Sequence, residues 1–205
     1  MFDSRFVDLE ERIRSYQTIL EKEPDNILVR RLLAFTYMKG GDFFKAINNF
    51  RMLLKRGNES LDNVVGTRGW THYDDRVCLG WSLLELGMYD EAMDLLTNVR
   101  RECCWNPFVF LALGKYYYMI GKLNKDYDSF RLAIGYFDDT IRTGLSYLGK
   151  PEYKNKCSEL RLIVESSIVG AYELLIKSSL LTNRPIKALK AWLGFNFYKY
   201  YLKVN

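Results

Sequence analysis

Three stretches of this 205-residue chain repeat one layout of apolar and small residues, and the last two begin 34 residues apart, at Tyr73 and Pro107. From Ile27 the layout runs Leu33, Ala34 and Tyr37, then Gly40-Gly41-Asp42-Phe43, then Ala46, Phe50 and Leu53. From Tyr73 it runs Leu79, Gly80 and Leu83, then Gly87-Met88-Tyr89, then Ala92, Leu96 and Val99. From Pro107 it runs Leu113, Gly114 and Tyr117, then Gly121-Lys122-Leu123, then Phe130 and Ala133. Numbered from those three starts, positions 4, 7, 8 and 11 fall on one side of a helix that advances about 100° per residue. A small residue at position 8 lets paired helices approach closely, and glycine at position 15 ends the first helix in a left-handed conformation. No strand-like alternation of five or more residues stands out, so the class is all-α. A 34-residue pair cannot bury its own apolar side, so the units must stack.

This layout resembles the tetratricopeptide repeat family, whose unit is a helix–turn–helix of 34 residues. The resemblance implies a right-handed α-solenoid of antiparallel helix pairs, a single domain over 1–205. Residues 1–26 read as an N-terminal capping helix, with Tyr16 and Ile19 at packing positions and Pro24 as the stop. Repeats follow at 27–57, 73–106 and 107–139, then a helical insertion at 140–168. A degenerate repeat or cap occupies 169–205, with Asn183-Arg184-Pro185 in the turn and Tyr172, Leu175, Ile176, Ala188, Trp192 and Phe195 at packing positions.

Several chemistries are set aside by what the chain contains. The N-terminal stretch lacks the apolar core of a secretory signal and no run approaches the 20 or so residues of a bilayer span, so a cytoplasmic location is expected. Cys78, Cys103, Cys104 and Cys157 match no metal-knuckle spacing and read as reduced core thiols. The one histidine, His72, precedes Asp74-Asp75 in what reads as a helix start, where acids favour the N-terminal dipole. Gly144 to Lys150 imitates a phosphate loop, but Pro151 stands where magnesium chemistry needs Ser or Thr. No metal site, cofactor or enzyme activity is expected.

The opposite side of each first helix is the informative surface. Positions 2, 5, 9 and 12 point toward the concave side of such a stack, where water would favour polar residues. The chain has Leu28, Arg31, Phe35 and Met38 in the first unit, and Asp74, Val77, Trp81 and Leu84 in the second. The third has Phe108, Leu111, Lys115 and Tyr118. An apolar stripe of this kind marks a binding groove or is covered by the chain's own insertion or C-terminal segment. The family's carboxylate clamp needs Lys and Asn where Arg31 and Phe35 stand, so that mode is not implied.

Charge is unevenly spread. The formal net charge is +5, yet residues from Lys154 onward carry nine basic and three acidic groups, and no acid follows Glu173. Lys187, Lys190, Lys199 and Lys203 are interleaved with aromatic residues and form a basic surface. The expected function is a protein–protein interaction scaffold or adaptor, a subunit of a larger assembly, binding an apolar helical or extended segment in its groove. The alternatives are a chaperone-like holder of apolar segments and an RNA- or ribosome-associated protein that uses the basic aromatic end.

Overall fold

A computed structural model of the chain describes residues 4–55, 72–102, 106–149 and 158–204, with side chains described for 8–55, 75–102, 106–149 and 164–200. Among the described residues there are nine α-helices, packed as sequential antiparallel pairs of tetratricopeptide type: α1 (Ser4–Lys22), α2 (Ile27–Lys39), α3 (Phe43–Lys55), α4 (His72–Glu85), α5 (Tyr89–Glu102), α6 (Pro107–Asn124), α7 (Tyr127–Leu148), α8 (Ser158–Leu181) and α9 (Pro185–Val204). By packing the chain divides into two compact units, Met1–Leu95 and Leu96–Asn205, the division falling inside α5. An array whose elements touch only near neighbours divides readily in this way.

In the first unit α2 and α3 form a pair around Leu33, Ala34, Tyr37, Ala46, Ile47, Phe50 and Leu53, all buried. The Asn26 side chain caps α2 by accepting from the Val29 N–H. The turn that follows needs Gly41, whose φ of +81° a residue with a side chain rarely adopts; Gly87, at +76°, serves the turn from α4 to α5 in the same way. The α1 helix lies on α2, its Gln17 amide donating to the Tyr37 hydroxyl at 3.0 Å. Leu9, Ile13, Tyr16 and Leu20 are its half-buried residues among those described; Ile19, expected at a packing position, is exposed, because i, i+3, i+7 spacing from Ile13 bypasses it.

In the second unit α6 and α7 close around Phe130, Ala133, Ile134 and Phe137. The closeness depends on absent side chains. A Cβ on Gly114 would lie 2.5 Å from Phe137 Cε1, and one on Gly121 would lie 3.0 Å from Phe130 Cδ1. The turn expected at Gly121-Lys122-Leu123 is therefore not there: α6 continues through Gly121 to Asn124. The reversal comes at Lys125, left-handed with φ 53°, and Asp126, whose carboxylate accepts from the Asp128 and Ser129 N–H groups. The phosphate-loop look-alike is likewise helix, with Gly144 to Leu148 inside α7 and Gly149 at its C-cap. Stretch 140–168 is split between the end of α7 and the start of α8, residues 150–157 lying outside those described.

The last pair is α8 and α9. Tyr147, Val164, Ile168 and Tyr198 make its core with α7, and Gly194 sits against the Tyr172 ring. Ala188 is buried and Phe195 half-buried beside Tyr172, as the repeat spacing predicts. Trp192, expected to pack inward, is 52% exposed; Ala191 and Tyr198 complete the inner face instead. The helix rotates so that small residues, Ala188, Ala191 and Gly194, meet α8 and allow close approach.

Two substitutions separate packing from propensity. Gly114→Ala is expected to destabilise by about 1–3 kcal/mol through overpacking against Phe137. Gly135→Ala, where a Cβ meets nothing within 4 Å, is expected to stabilise α7 by about 0.5–1 kcal/mol. Urea unfolding midpoints test both.

The α7 cap gives a pH signature. The Ser129 hydroxyl first, then the Asp128 N–H, holds the Asp126 carboxyl below the usual carboxylate range. Its contribution is then present above the unfolded-state value of 3.8 and is lost as pH falls through the lower folded one. Asp126→Ala should lower the melting temperature at pH 7, and the difference should close in strong acid.

Candidate partner-binding face of the first helices

The stripe of twelve positions is not uniformly open, and burial at positions 5 and 9 is the same in all three repeats. Position 5 is buried each time: Arg31, Val77 and Leu111. Position 9 is half-buried each time: Phe35, Trp81 and Lys115. Leu28 and Phe108 at position 2, and Met38 and Tyr118 at position 12, are also half-buried, whereas Leu84 at position 12 is buried and the Asp74 side chain lies outside the described residues. As exposed lining, Arg31, Val77, Leu84 and Leu111 are therefore corrected: each is buried.

The reason is visible at two of them. At Arg31 and Leu111, position 5 turns toward the next first helix along the chain. In the first unit the Arg31 guanidinium reaches Asp75 of α4 through a bidentate pair, Nε to Oδ1 at 2.7 Å and Nη2 to Oδ2 at 2.6 Å. Both side chains are almost wholly buried, and Arg31 Nη1 has no hydrogen-bond partner among the described residues. In the second unit a Cβ on Gly170 of α8 would stand 3.5 Å from Leu111 Cδ2. There the chain's own following helix covers the position.

What is left open in the first unit is Leu28, Phe35 and Met38 on α2 and Trp81 on α4. The Lys39 ammonium sits 4.9 Å above the Phe35 ring, leaving an aromatic edge with a cationic cover. In the second unit Tyr118 is turned back on its own pair, edge-on to Phe130 at 5.9 Å with the Lys122 ammonium above it. Phe108 and Lys115 are half-buried on the same helix.

The sequence reading missed two features. Asp75 reads in sequence as one of two acids at a helix start; the structure pairs it with Arg31 of α2, and an arginine on an otherwise apolar stripe is the signal that could have found it. The second is an aromatic cluster in the second unit. Tyr117 stacks on Tyr136 at 5.5 Å and 9°, and Arg100 lies 5.3 Å above the Tyr136 ring while donating to its hydroxyl at 2.8 Å. Burial pushes the Tyr136 phenol above its usual value, and the Arg100 charge opposes that.

The basic surface also divides. Lys187 is half-buried and paired with Asp138 of α7. Lys190 is exposed, and Lys199 is exposed with its ammonium 4.2 Å above the Phe195 ring. The Lys203 side chain lies outside those described. Cys78 is buried and unbridged, and the other three cysteines fall outside the described residues. Among the described residues no group of three His, Cys, Asp or Glu side chains is placed to hold a metal ion.

Arg31→Ala is expected to cost about 3–5 kcal/mol, since it strands a buried carboxylate. Arg51→Ala, which removes a half-exposed pair with Glu91, should cost less than about 1 kcal/mol. Equilibrium unfolding of the two variants measures the contrast.

Residues 79–103 match the family described as tetratricopeptide repeat. Among solved structures the chain is similar to that titled "Crystal structure of MamA protein", with 19% identity, a TM-score of 0.54, and coverage of 92% of this chain and 85% of that one. A second structure, titled "Crystal structure of MamA", has 19% identity and a TM-score of 0.49 over 86% of this chain and 94% of that one. The structure of BtubC (BKLC) from P. vanneervenii has 14% identity and a TM-score of 0.40 over 96% and 90%. No curated protein matches the chain. The match over residues 79–103 gives one tetratricopeptide repeat in α4–α5, and the likeness at a TM-score of 0.54 shows a shared all-α fold of helix pairs.

Proposed function

We propose that the chain is an adaptor or scaffold that holds an apolar helical or extended segment of a protein partner on the open stripe of its first helices, as a subunit of a larger assembly. The observation that carries this reading is the recurrence of half-buried apolar side chains at position 9 and its neighbours: Leu28, Phe35, Met38 and Trp81 in the first unit. Side chains in that state gain when a partner completes their burial, by about 1.5–3 kcal/mol for a full aliphatic or aromatic group, less the cost of association. Aromatic anchors flanked by a cation suit a segment that presents apolar residues at helical or alternate spacing.

Trp81 is the anchor to test. Trp81→Ala should weaken partner binding more than about tenfold while the melting temperature stays within a few degrees of wild type. The partner is obtained by affinity purification and mass spectrometry, then titrated as a synthetic segment by calorimetry. A variant that unfolds, or that binds as wild type does, removes Trp81 from the site. Phe35→Ala, on the neighbouring first helix, gives an independent measure of the same stripe.

A further inference from the structure

The last helix is apolar on two opposite sides, and one of them is open. Taking Ile186 as the origin of a helical wheel, Ala188, Ala191, Gly194, Phe195 and Tyr198 turn toward α8, and Ala188, Ala191 and Tyr198 are buried there. On the other side Ile186, Leu189, Leu193, Phe197 and Tyr200 fall within an arc of about 80°. These five are 54–75% exposed, and Trp192 beside them is 52% exposed. A helix that is apolar all round is ordinarily enclosed, yet this one has a neighbour on one side only.

Charge selects the occupant. No acidic residue lies between Lys177 and the last residue of the sequence, while Arg184, Lys187, Lys190, Lys199 and Lys203 accompany the stripe. Only Lys187 has an acidic partner among the described residues of the helix and its approach, in Asp138. At the stripe's N-terminal end Ile186 and Lys190 also line a cavity of about 810 Å³ together with Arg142, Arg184, Tyr172 and Asp138. A second copy of the chain would bring the same cations against these. A nucleic acid would use the cations and the aromatic rings but leave Ile186, Leu189 and Leu193 unmatched. An anionic bilayer surface satisfies both features, because acyl chains accept the aliphatic and aromatic stripe while headgroup charges meet Lys190, which borders it, and the exposed Arg184 just before the helix. No described helix is long and apolar enough to cross a membrane, so the contact is with the interface.

We infer that the outer face of α9 docks in the plane of an anionic lipid bilayer, with Leu189, Leu193 and Phe197 entering the headgroup boundary and Arg184 and Lys190 contacting its phosphates and carboxylates.

The test is co-sedimentation of the full chain with phosphatidylcholine vesicles that contain, or lack, about 30 mol% phosphatidylserine. Binding should be at least about tenfold tighter to the anionic vesicles and should weaken with salt. The variants Leu193→Asp and Phe197→Asp change exposed positions, so they should keep the wild-type melting temperature and lose binding by at least about tenfold. Arg184→Glu with Lys190→Glu should remove the preference for anionic vesicles. Should either aspartate variant unfold, Leu193→Ser and Phe197→Ser carry the same comparison. Absence of binding to anionic vesicles overturns the inference, as does equal binding to the two compositions or unchanged binding by Phe197→Asp. A dimer in solution that Phe197→Asp dissolves, with no vesicle binding, would assign the face to a second copy. Retention of single-stranded RNA without vesicle binding would assign it to nucleic acid.

Discussion

A helical hairpin of this size has more apolar sides than its two helices can cover for each other, and everything else in the chain follows from that surplus. The α7 helix shows the rule: it meets α6 through Phe130 and Phe137 and meets α8 through Gly144 and Tyr147. In this second unit the α6–α7 pair passes an uncovered side to α8. Small residues set how close that hand-over is, since Gly114 lets the Phe137 ring lie directly on the α6 backbone. Stability is thus shared among neighbours instead of gathered in one core. The surplus also explains α9, which receives α8 on one side and still presents Leu193 and Phe197 on the other.

Next to this apolar logic stands one charged exception. The Arg31–Asp75 pair is enclosed where an aliphatic contact would serve adhesion as well, and it leaves one guanidinium nitrogen unsatisfied. A bidentate pair fixes relative position and angle more strictly than two leucines do, so it sets the register of α4 on α2. That register in turn determines how Phe35 and Trp81 are presented on neighbouring first helices. Arg31, one of the stripe residues in sequence, therefore acts as a spacer behind the residues that remain open.

Much of this was legible from residue order. The turns at Gly40-Gly41 and Gly87 were, because a left-handed backbone position selects for glycine and little else. The third turn was not, because Lys125 takes the left-handed conformation and Asp126 supplies the cap, while Gly121 is small for the sake of the Phe130 ring. A glycine needed for closeness and one needed for its φ look alike in sequence. The binding stripe was half legible for a related reason. Helical spacing places positions 2, 5, 9 and 12 on one side, but whether position 5 meets solvent depends on the neighbouring helix, and Gly170 approaching Leu111 is invisible in either repeat alone. Trp192 was misplaced because α9 has two apolar sides, and periodicity does not say which one faces inward.

The Arg31–Asp75 pair carries one more consequence, for the order in which the chain assembles. Its partners are separated by 44 positions, about 12 more than the bare repeat period would place between them. Closing a flexible loop costs entropy that grows only with the logarithm of its length, so the added residues raise that cost by about 0.3 kcal/mol. An insertion between these two repeats is thus nearly neutral for stability, while contacts within the α2–α3 hairpin, spanning far fewer residues, form first. The chain tolerates extra sequence at that junction because the clasp closing over it forms late and is indifferent to the length of what it encloses.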